Sequence, residues 1–365
     1  MDNYLKIIDY IIDKKASTNK IDRIIKNMKI KPFHNLKNFD GNNLTVGSAQ
    51  VRVQVFTKIK KYIKYIDSHI QKSVLDGAGL VVFPEYCGML ILGIAPLFRL
   101  AMSITTNFKG ISDAEKQSID EPDDTSFDIN LPILMEKLGS TIERIHKDIF
   151  SRLAKRHCIY IMSGSILVWE DGKIFNRNYF FAPDGTLIDY QDKIHLTAEE
   201  IDLQISAGDR FKVLDLPIGK IGFPMCMDAS YFETFKILKS MGAQIVVVGD
   251  ANFEEYVEHY EMRDVWSRVQ ESGIYGVKST LVGEFYGFNF VGRSGFFAPT
   301  SATEDGTGIL VVSDKFDMDD TIVGTMDLSR LDSMNDVYTP QSNGELYRKY
   351  LKNIYKNNNV EEKEI

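Results

Sequence analysis

Cysteine is scarce in this chain: three residues, Cys87, Cys158 and Cys226, in 365. Three widely spaced thiols do not build a disulfide framework, and sparse use fits a reducing compartment in which a lone reactive thiol can persist. Excess positive charge is absent too. Acidic residues outnumber basic ones 51 to 43, and the formal net charge is −8. No nucleic-acid-binding face is expected, and the cluster Lys58, Lys60, Lys61 and Lys64 reads as the solvated face of a helix. Long apolar runs are missing: the most apolar stretch, Met89 to Met102, is broken by Pro96 and Arg99 and is too short to span a bilayer. The first fifteen residues, MDNYLKIIDYIIDKK, carry charges throughout and lack the regions of a signal peptide. No cysteine or histidine grouping has metal-site spacing, no phosphate-binding glycine loop with a following lysine occurs, and no internal repeat is visible. The expectation is a cytosolic protein with no cofactor, no metal, no nucleic-acid partner and no membrane partner.

What remains is the composition of a soluble globular protein, 44% hydrophobic and 26% charged. Strand-like runs alternate with helical spacing, which signals an α/β sheet with crossover helices. Residues 1–43 read as a helical N-terminal extension, with Leu5, Ile8, Ile11 and Ile12 and then Ile21, Ile24, Ile25 and Met28 at helical spacing. The main domain runs over 44–330. It contains an irregular stretch at 88–130, apolar and then acidic, that reads as an insertion or lid. Residues 331–365 read as a polar C-terminal tail.

The centre of the domain is Gly219 to Asn252. Ile221 to Met225 predicts a strand near its end, Phe232 to Met241 a helix with Phe232, Phe235, Ile237, Leu238 and Met241 as its apolar positions, and Ile245 to Val248 a second strand. Cys226 stands where the first strand stops. In open α/β sheets ligands gather beyond the carboxyl ends of strands. A helix N-terminus beside the sulfur would favour a thiolate. An isolated cysteine is more often a small core hydrophobe, so its partners decide the reading. Glu85 closes the strand LVVFP, and Lys193 follows the strand TLIDY, each at a comparable edge. Carboxylate, ammonium and thiol together suit acyl transfer. The carboxylate takes the thiol proton, the thiolate attacks a carbonyl-type carbon, and the ammonium with a backbone N–H neutralises the oxyanion. His195 reads as a satisfied structural histidine, and Cys87 and Cys158 as packing.

Three segments carry a family resemblance: VVFPEY at 81–86, PDG…Y…KIHL at 183–196, and GKIGFPMCMDASYFE at 219–233 followed by GAQIVVVGDAN. In this order and at these separations they resemble the nitrilase, or carbon–nitrogen hydrolase, superfamily over roughly Leu44 to Leu328. The resemblance implies a four-layer α-β-β-α sandwich and a Glu–Lys–Cys triad on Glu85, Lys193 and Cys226. It also implies a second glutamate beyond the lysine. Glu199 and Glu200 both qualify, and the spacing from Lys193 and from Gly208–Asp209 favours Glu200. The backbone N–H of Met227 would serve the oxyanion. Met227 and Asp228 stand where nitrile-hydrolysing members usually carry tryptophan and glutamate. That is closer to the amidase and carbamoylase branches, with a nitrilase or a non-catalytic scaffold as the alternatives. A small amide-type substrate and a homodimer or larger homo-oligomer are the implied partners.

Overall fold

The computed structural model describes residues 2–29, 42–54, 56–94, 131–285, 288–331, 345 and 349–350. Most of the expected 88–130 insertion and of the 331–365 tail lies outside the described residues.

The chain opens with α1 (Asp2–Lys15) and α2 (Thr18–Lys26), then β1 (Asn43–Arg52), α3 (Ile59–Leu75), β2 (Leu80–Val82), a 3-10 segment (Cys87–Ile94) and α4 (Leu131–His157). It continues with β3 (Tyr160–Glu170), β4 (Lys173–Phe181), β5 (Leu187–Asp192), α5 (Ala198–Asp202), β6 (Val213–Leu216), β7 (Gly219–Gly222) and a 3-10 turn (Cys226–Ser230). Next come α6 (Phe232–Ser240), β8 (Ile245–Asp250), α7 (Glu258–Glu261), α8 (Val265–Ser272) and β9 (Tyr275–Phe285). The last strands are β10 (Phe288–Phe290), β11 (Gly295–Phe297), β12 (Ile309–Val312) and β13 (Asp320–Asp327).

The strands run in the order β5-β4-β3-β2-β1-β9-β8-β7-β6. The two halves meet where β1 pairs with β9 over only Val51↔Leu281 and Arg52↔Val282. The halves then fold face to face, and side-chain alternation shows it. On β2, Leu80 and Val82 join a middle cluster with Ile221, Ile245 and Val277 of the other half. Val81, pointing the opposite way, joins an outer cluster with α3 and α4. On β8, Ile245 and Val247 face the middle, while Val246 and Val248 face α6 and α8. Period-two alternation with both faces apolar requires a layer on each side. Two sheets and two helical layers are the result: the α-β-β-α sandwich.

The helices α1 and α2 join the outer core. Leu5, Ile8, Ile12, Ile21 and Ile25 are buried in the cluster that holds α3 and α4, and Arg144 of α4 binds Asp13 at 2.8 Å. Lys58, Lys60, Lys61 and Lys64 are exposed. Several expectations need correction. In α6 only Phe235 and Leu238 of the predicted apolar set are buried. Ile237 and Met241 are 42% and 46% exposed, because one stripe of this short helix suffices to cover β8. Cys158 is exposed rather than packed. The edge strand β6, VLDL, gives little sequence signal: it is four residues long, holds a charge and pairs with β7.

Candidate active site

Three strand ends meet at one edge of the sandwich. Glu85 lies just past β2, Lys193 just past β5 and Cys226 just past β7. The chain is drawn tight around each. The peptide N–H of Lys193 donates to Asn176 O on β4 at 2.9 Å, and its carbonyl accepts from Gly208 N–H at 2.8 Å. A Cβ on Gly208 would meet Asp192 O at 2.9 Å, so glycine permits that approach. Likewise, a Cβ on Gly249 of β8 would meet Glu85 N at 2.9 Å. Tyr86 and Cys226 both take positive φ, 56° and 37°. Left-handed backbone at non-glycine residues is costly and collects at functional sites.

The Lys193 ammonium sits between two carboxylates, 2.9 Å from Glu85 Oε1 and 2.8 Å from Glu200 Oε2. Asn176 Nδ2 ties the same carboxylates together, donating to Glu85 Oε1 at 2.8 Å and to Glu200 Oε1 at 3.0 Å. Tyr86 O–H donates to Glu200 Oε1 at 2.5 Å. Glu85 and Lys193 are each 1% exposed and Glu200 4%.

Glu200 is the buried one of the adjacent pair, and Glu199 is exposed. A local reason places it. Thr197 caps α5, its hydroxyl accepting from Glu200 N–H, while Glu200 Oε2 accepts from Thr197 N–H at 2.9 Å. The T-x-x-E signature of such a capping box was present in the sequence and would have selected Glu200.

The electrostatics follow from burial with charge. Loss of solvation pushes the Glu85 carboxyl up to about 7; Lys193 opposes that rise, while Glu200 and Asp250 add to it. Burial works against the Lys193 ammonium, but Glu85, Cys226 and Glu200 outweigh it and hold the lysine well above its ordinary range. Burial also disfavours ionised Glu200, yet Lys193, Tyr86 and the Thr197 N–H keep its carboxyl below the usual value. The Cys226 thiol is pushed up, first by desolvation and then by Glu85, with Lys193 opposing.

That last result corrects the expected helix-terminus effect. Cys226 opens a five-residue 3-10 turn, and α6 begins only at Phe232. The turn is organised by Asp228. Its Oδ2 accepts from Met225 N–H at 3.0 Å. Its Oδ1 accepts from the backbone N–H groups of Ile194 at 3.2 Å and His195 at 2.8 Å, and lies 2.9 Å from His195 Nδ1. One buried carboxylate thus clamps the cysteine turn to the lysine segment. His195 also stacks on Tyr231, with ring centroids 4.3 Å apart. Met227, the residue after the sulfur, belongs to the same turn. Asn176 and Tyr86 carried no readable signal because their partners lie 24 to 114 residues away, and Asp228 reaches 33 residues back to His195 as well as three to Met225.

Chemically, this edge offers a thiol, a carboxyl near neutral affinity for a proton, a fixed ammonium and a second carboxylate. That set can deprotonate, attack, neutralise an oxyanion and orient water. Among the described residues no group of three or more histidine, cysteine, aspartate or glutamate side chains could hold a metal ion. A cavity of about 1330 Å³ lies elsewhere, between α2 and α3 beside Ile94. No described helix is long and apolar enough to cross a membrane.

Comparison with known proteins places these features in a family context. A family model described as carbon-nitrogen hydrolase matches residues 45–336. The chain is 33% identical over 190 residues to a probable hydrolase, YhcX, of Bacillus subtilis (strain 168), a stretch covering 50% of this chain and 36% of that protein. It is 34% identical over 124 residues to the omega-amidase NIT2-B of Xenopus laevis, covering 32% and 45%. The matched stretches thus span a third to just under half the length of these two relatives. Among solved structures, an amidase from Nesterenkonia sp. AN1 in complex with acrylamide superposes with a TM-score of 0.61 at 14% identity, covering 85% of this chain and 97% of that one. Nit3 of Saccharomyces cerevisiae, a member of the nitrilase superfamily, gives a TM-score of 0.58 at 18% identity, covering 83% and 97%. At such identities the likeness speaks for the fold.

Proposed function

The chain belongs to the carbon-nitrogen hydrolase family, and from that premise we propose that it cleaves a small amide or N-carbamoyl compound to an acid and ammonia or an amine through a thioester on Cys226. The observation that carries this reading is the Lys193 ammonium fixed between Glu85 and Glu200 at the strand edge that also holds Cys226. The reaction follows from those positions. Glu85 accepts the thiol proton and the sulfur attacks the carbonyl carbon. Lys193 and the backbone N–H of Met227 hold the oxyanion. Glu85 returns the proton to the leaving nitrogen as the C–N bond breaks, leaving the acyl group on sulfur. Water then enters; Glu85 takes its proton, Glu200 orients it, and hydrolysis of the thioester frees the acid and the thiol. A carboxyl with affinity near pH 7 suits this alternation between base and acid.

Two comparisons lend support. Relatives at about a third identity are omega-amidases, and in a glutamate-to-glutamine mutant of the Nesterenkonia amidase acrylamide adds to the active-site cysteine by Michael addition. The test is a matched panel of amides, N-carbamoyl compounds and nitriles. Released ammonia or amine is assayed, and intact mass is recorded for wild type and Cys226→Ala. Turnover of amides with an acyl adduct confined to the wild type is expected. Turnover of nitriles alone, or an adduct retained in Cys226→Ala, would overturn the reading. We further expect a homodimer or larger assembly in the cytoplasm, checked by light scattering on the purified chain and by cell fractionation.

A further inference from the structure

Lys278 takes no part in the proposed reaction, yet it is among the most enclosed charges in the fold. It sits on β9, 1% exposed. Its ammonium lies 2.5 Å from Asp264, 3.0 Å from Glu261 and 3.4 Å from Asp250. Three carboxylates around one ammonium leave an acidic excess, and a buried excess must act on its neighbours. The neighbour here is the cysteine turn. Asp250 is the last residue of β8 and 6% exposed. The residue before it, Gly249, bridges to Met225, which precedes Cys226. The same Gly249 is pressed against the backbone of Glu85. Asp250 therefore stands one step past the point where the chain touches both the base and the nucleophile.

We propose that Asp250, held by Lys278 and set one residue past the Gly249–Met225 bridge, is a positioning residue of this site that keeps the Cys226 sulfur at rest until substrate is present. The inference rests on the reaction proposed above and deepens it. The groups that act on the sulfur are Glu85 just past β2, Tyr86 beside it, Lys193 just past β5, Asp250 at the end of β8 and the donated Ala251 N–H. Asp250 acts against ionisation of both Cys226 and Glu85. Facing Asp250 are Lys278 from β9, Glu261 from α7 and Asp264 at the start of α8. Of these, Lys278 alone is a cation, and it is held well above its ordinary range by the carboxylates despite its burial. Without Lys278, three carboxylates could not all stay ionised in that space. With it, Asp250, Glu261 and Asp264 all have a cation within 3.4 Å. A resting thiol resists oxidation and stray alkylation, which a standing thiolate does not. Substrate then brings its own carbonyl to Lys193 and the Met227 N–H, and the proton passes to Glu85.

The experiment follows the rate of iodoacetamide alkylation of the full-length protein from pH 5.5 to 10, without substrate. In Asp250→Asn the midpoint should fall by about one pH unit, with a several-fold faster rate at pH 7. Asp250→Glu, which keeps the charge, should retain the wild-type midpoint. Asp250→Asn/Lys278→Met should keep the lowered midpoint, since Lys278 acts through Asp250. Should Asp250→Asn fail to fold, Glu261→Gln removes a carboxylate from the same cluster and should move the midpoint the same way by less. A midpoint that stays fixed or rises in the Asn variant overturns the inference, as does a double variant that returns to wild type. A purely structural role would slow alkylation without moving its midpoint. Because alkylation needs no turnover, a failed amide panel would overturn the proposed reaction while this result stood, and the reverse.

Discussion

Two buried lysines, one in each sheet, invite comparison. Lys193 and Lys278 are each 1% exposed, each bound by several carboxylates, and each held above its ordinary range by them against the cost of burial. Their surroundings differ. Lys193 sits at a strand end, its carboxylates arranged by Asn176, Tyr86 and a capping box, with a thiol beside them. Lys278 lies inside β9, and two of its partners belong to α7 and the cap of α8. Similar ion chemistry can therefore serve a cleft or stitch a connection to a sheet, and what decides is where along the strand the lysine falls.

The comparison breaks most sharply on substitution. Lys193→Met should lower kcat/KM by on the order of 10³ through the lost oxyanion partner, measured on the amide that the panel identifies. Lys278→Met should leave Glu85, Lys193 and Cys226 in place but destabilise the fold by about 3–5 kcal/mol, because it strands buried carboxylates; urea titration reads that loss. If the two effects were exchanged, the division of labour would be wrong.

Asp228→Asn keeps the shape of the clamp but weakens the charge-assisted bonds from Met225, Ile194 and His195. It should cost about 1.5–3 kcal/mol of stability and lower kcat more than it changes KM, as thermal melts and steady-state kinetics would show.

The pH dependence sharpens the same contrast at the base. With the Glu85 carboxyl near 7, kcat/KM should fall tenfold per unit below that pH, since the base must be ionised. The sign for stability runs the other way. The folded protein holds this proton more tightly than the unfolded chain, whose ordinary value is 4.5. The stabilisation is full below about 4.5 and is lost as pH rises through about 7. Glu85→Gln should flatten that slope, which thermal melts at pH 5 and pH 8 would reveal. The smallest effect is Tyr86→Phe, which removes one hydrogen bond to Glu200 and should cost about 1 kcal/mol of stability with only a modest loss of rate.

Much of the layered core was readable along the chain. Leu80, Val81 and Val82 divide between two apolar clusters as alternation requires, and Ile59, Ile63, Ile66 and Ile70 bury one stripe of α3 as helical spacing predicts. The strand ends bearing Glu85, Lys193 and Cys226 stood out because each follows a short apolar run. Other features did not show. Ile237 and Met241 are exposed although their spacing matches Phe235 and Leu238, since periodicity says that a helix has an apolar side but not how wide a stripe its sheet will cover. Cys158, at the start of a strand, was expected inside and is exposed.

What the sequence determined by itself is local: where strands stop, which faces are apolar, and which chemical groups stand at the stops, all set by periods of a few residues. Even the choice of Glu200 over Glu199 was written in the capping box that begins at Thr197. Only the tertiary structure decided which groups meet. Asn176 reaches Glu85 because β4 and β2 both flank β3, and Gly249 bridges to the residue before Cys226 because β8 lies next to β7. Strand order and register are long-range properties paid for by the burial of whole faces, and no window along the chain contains them.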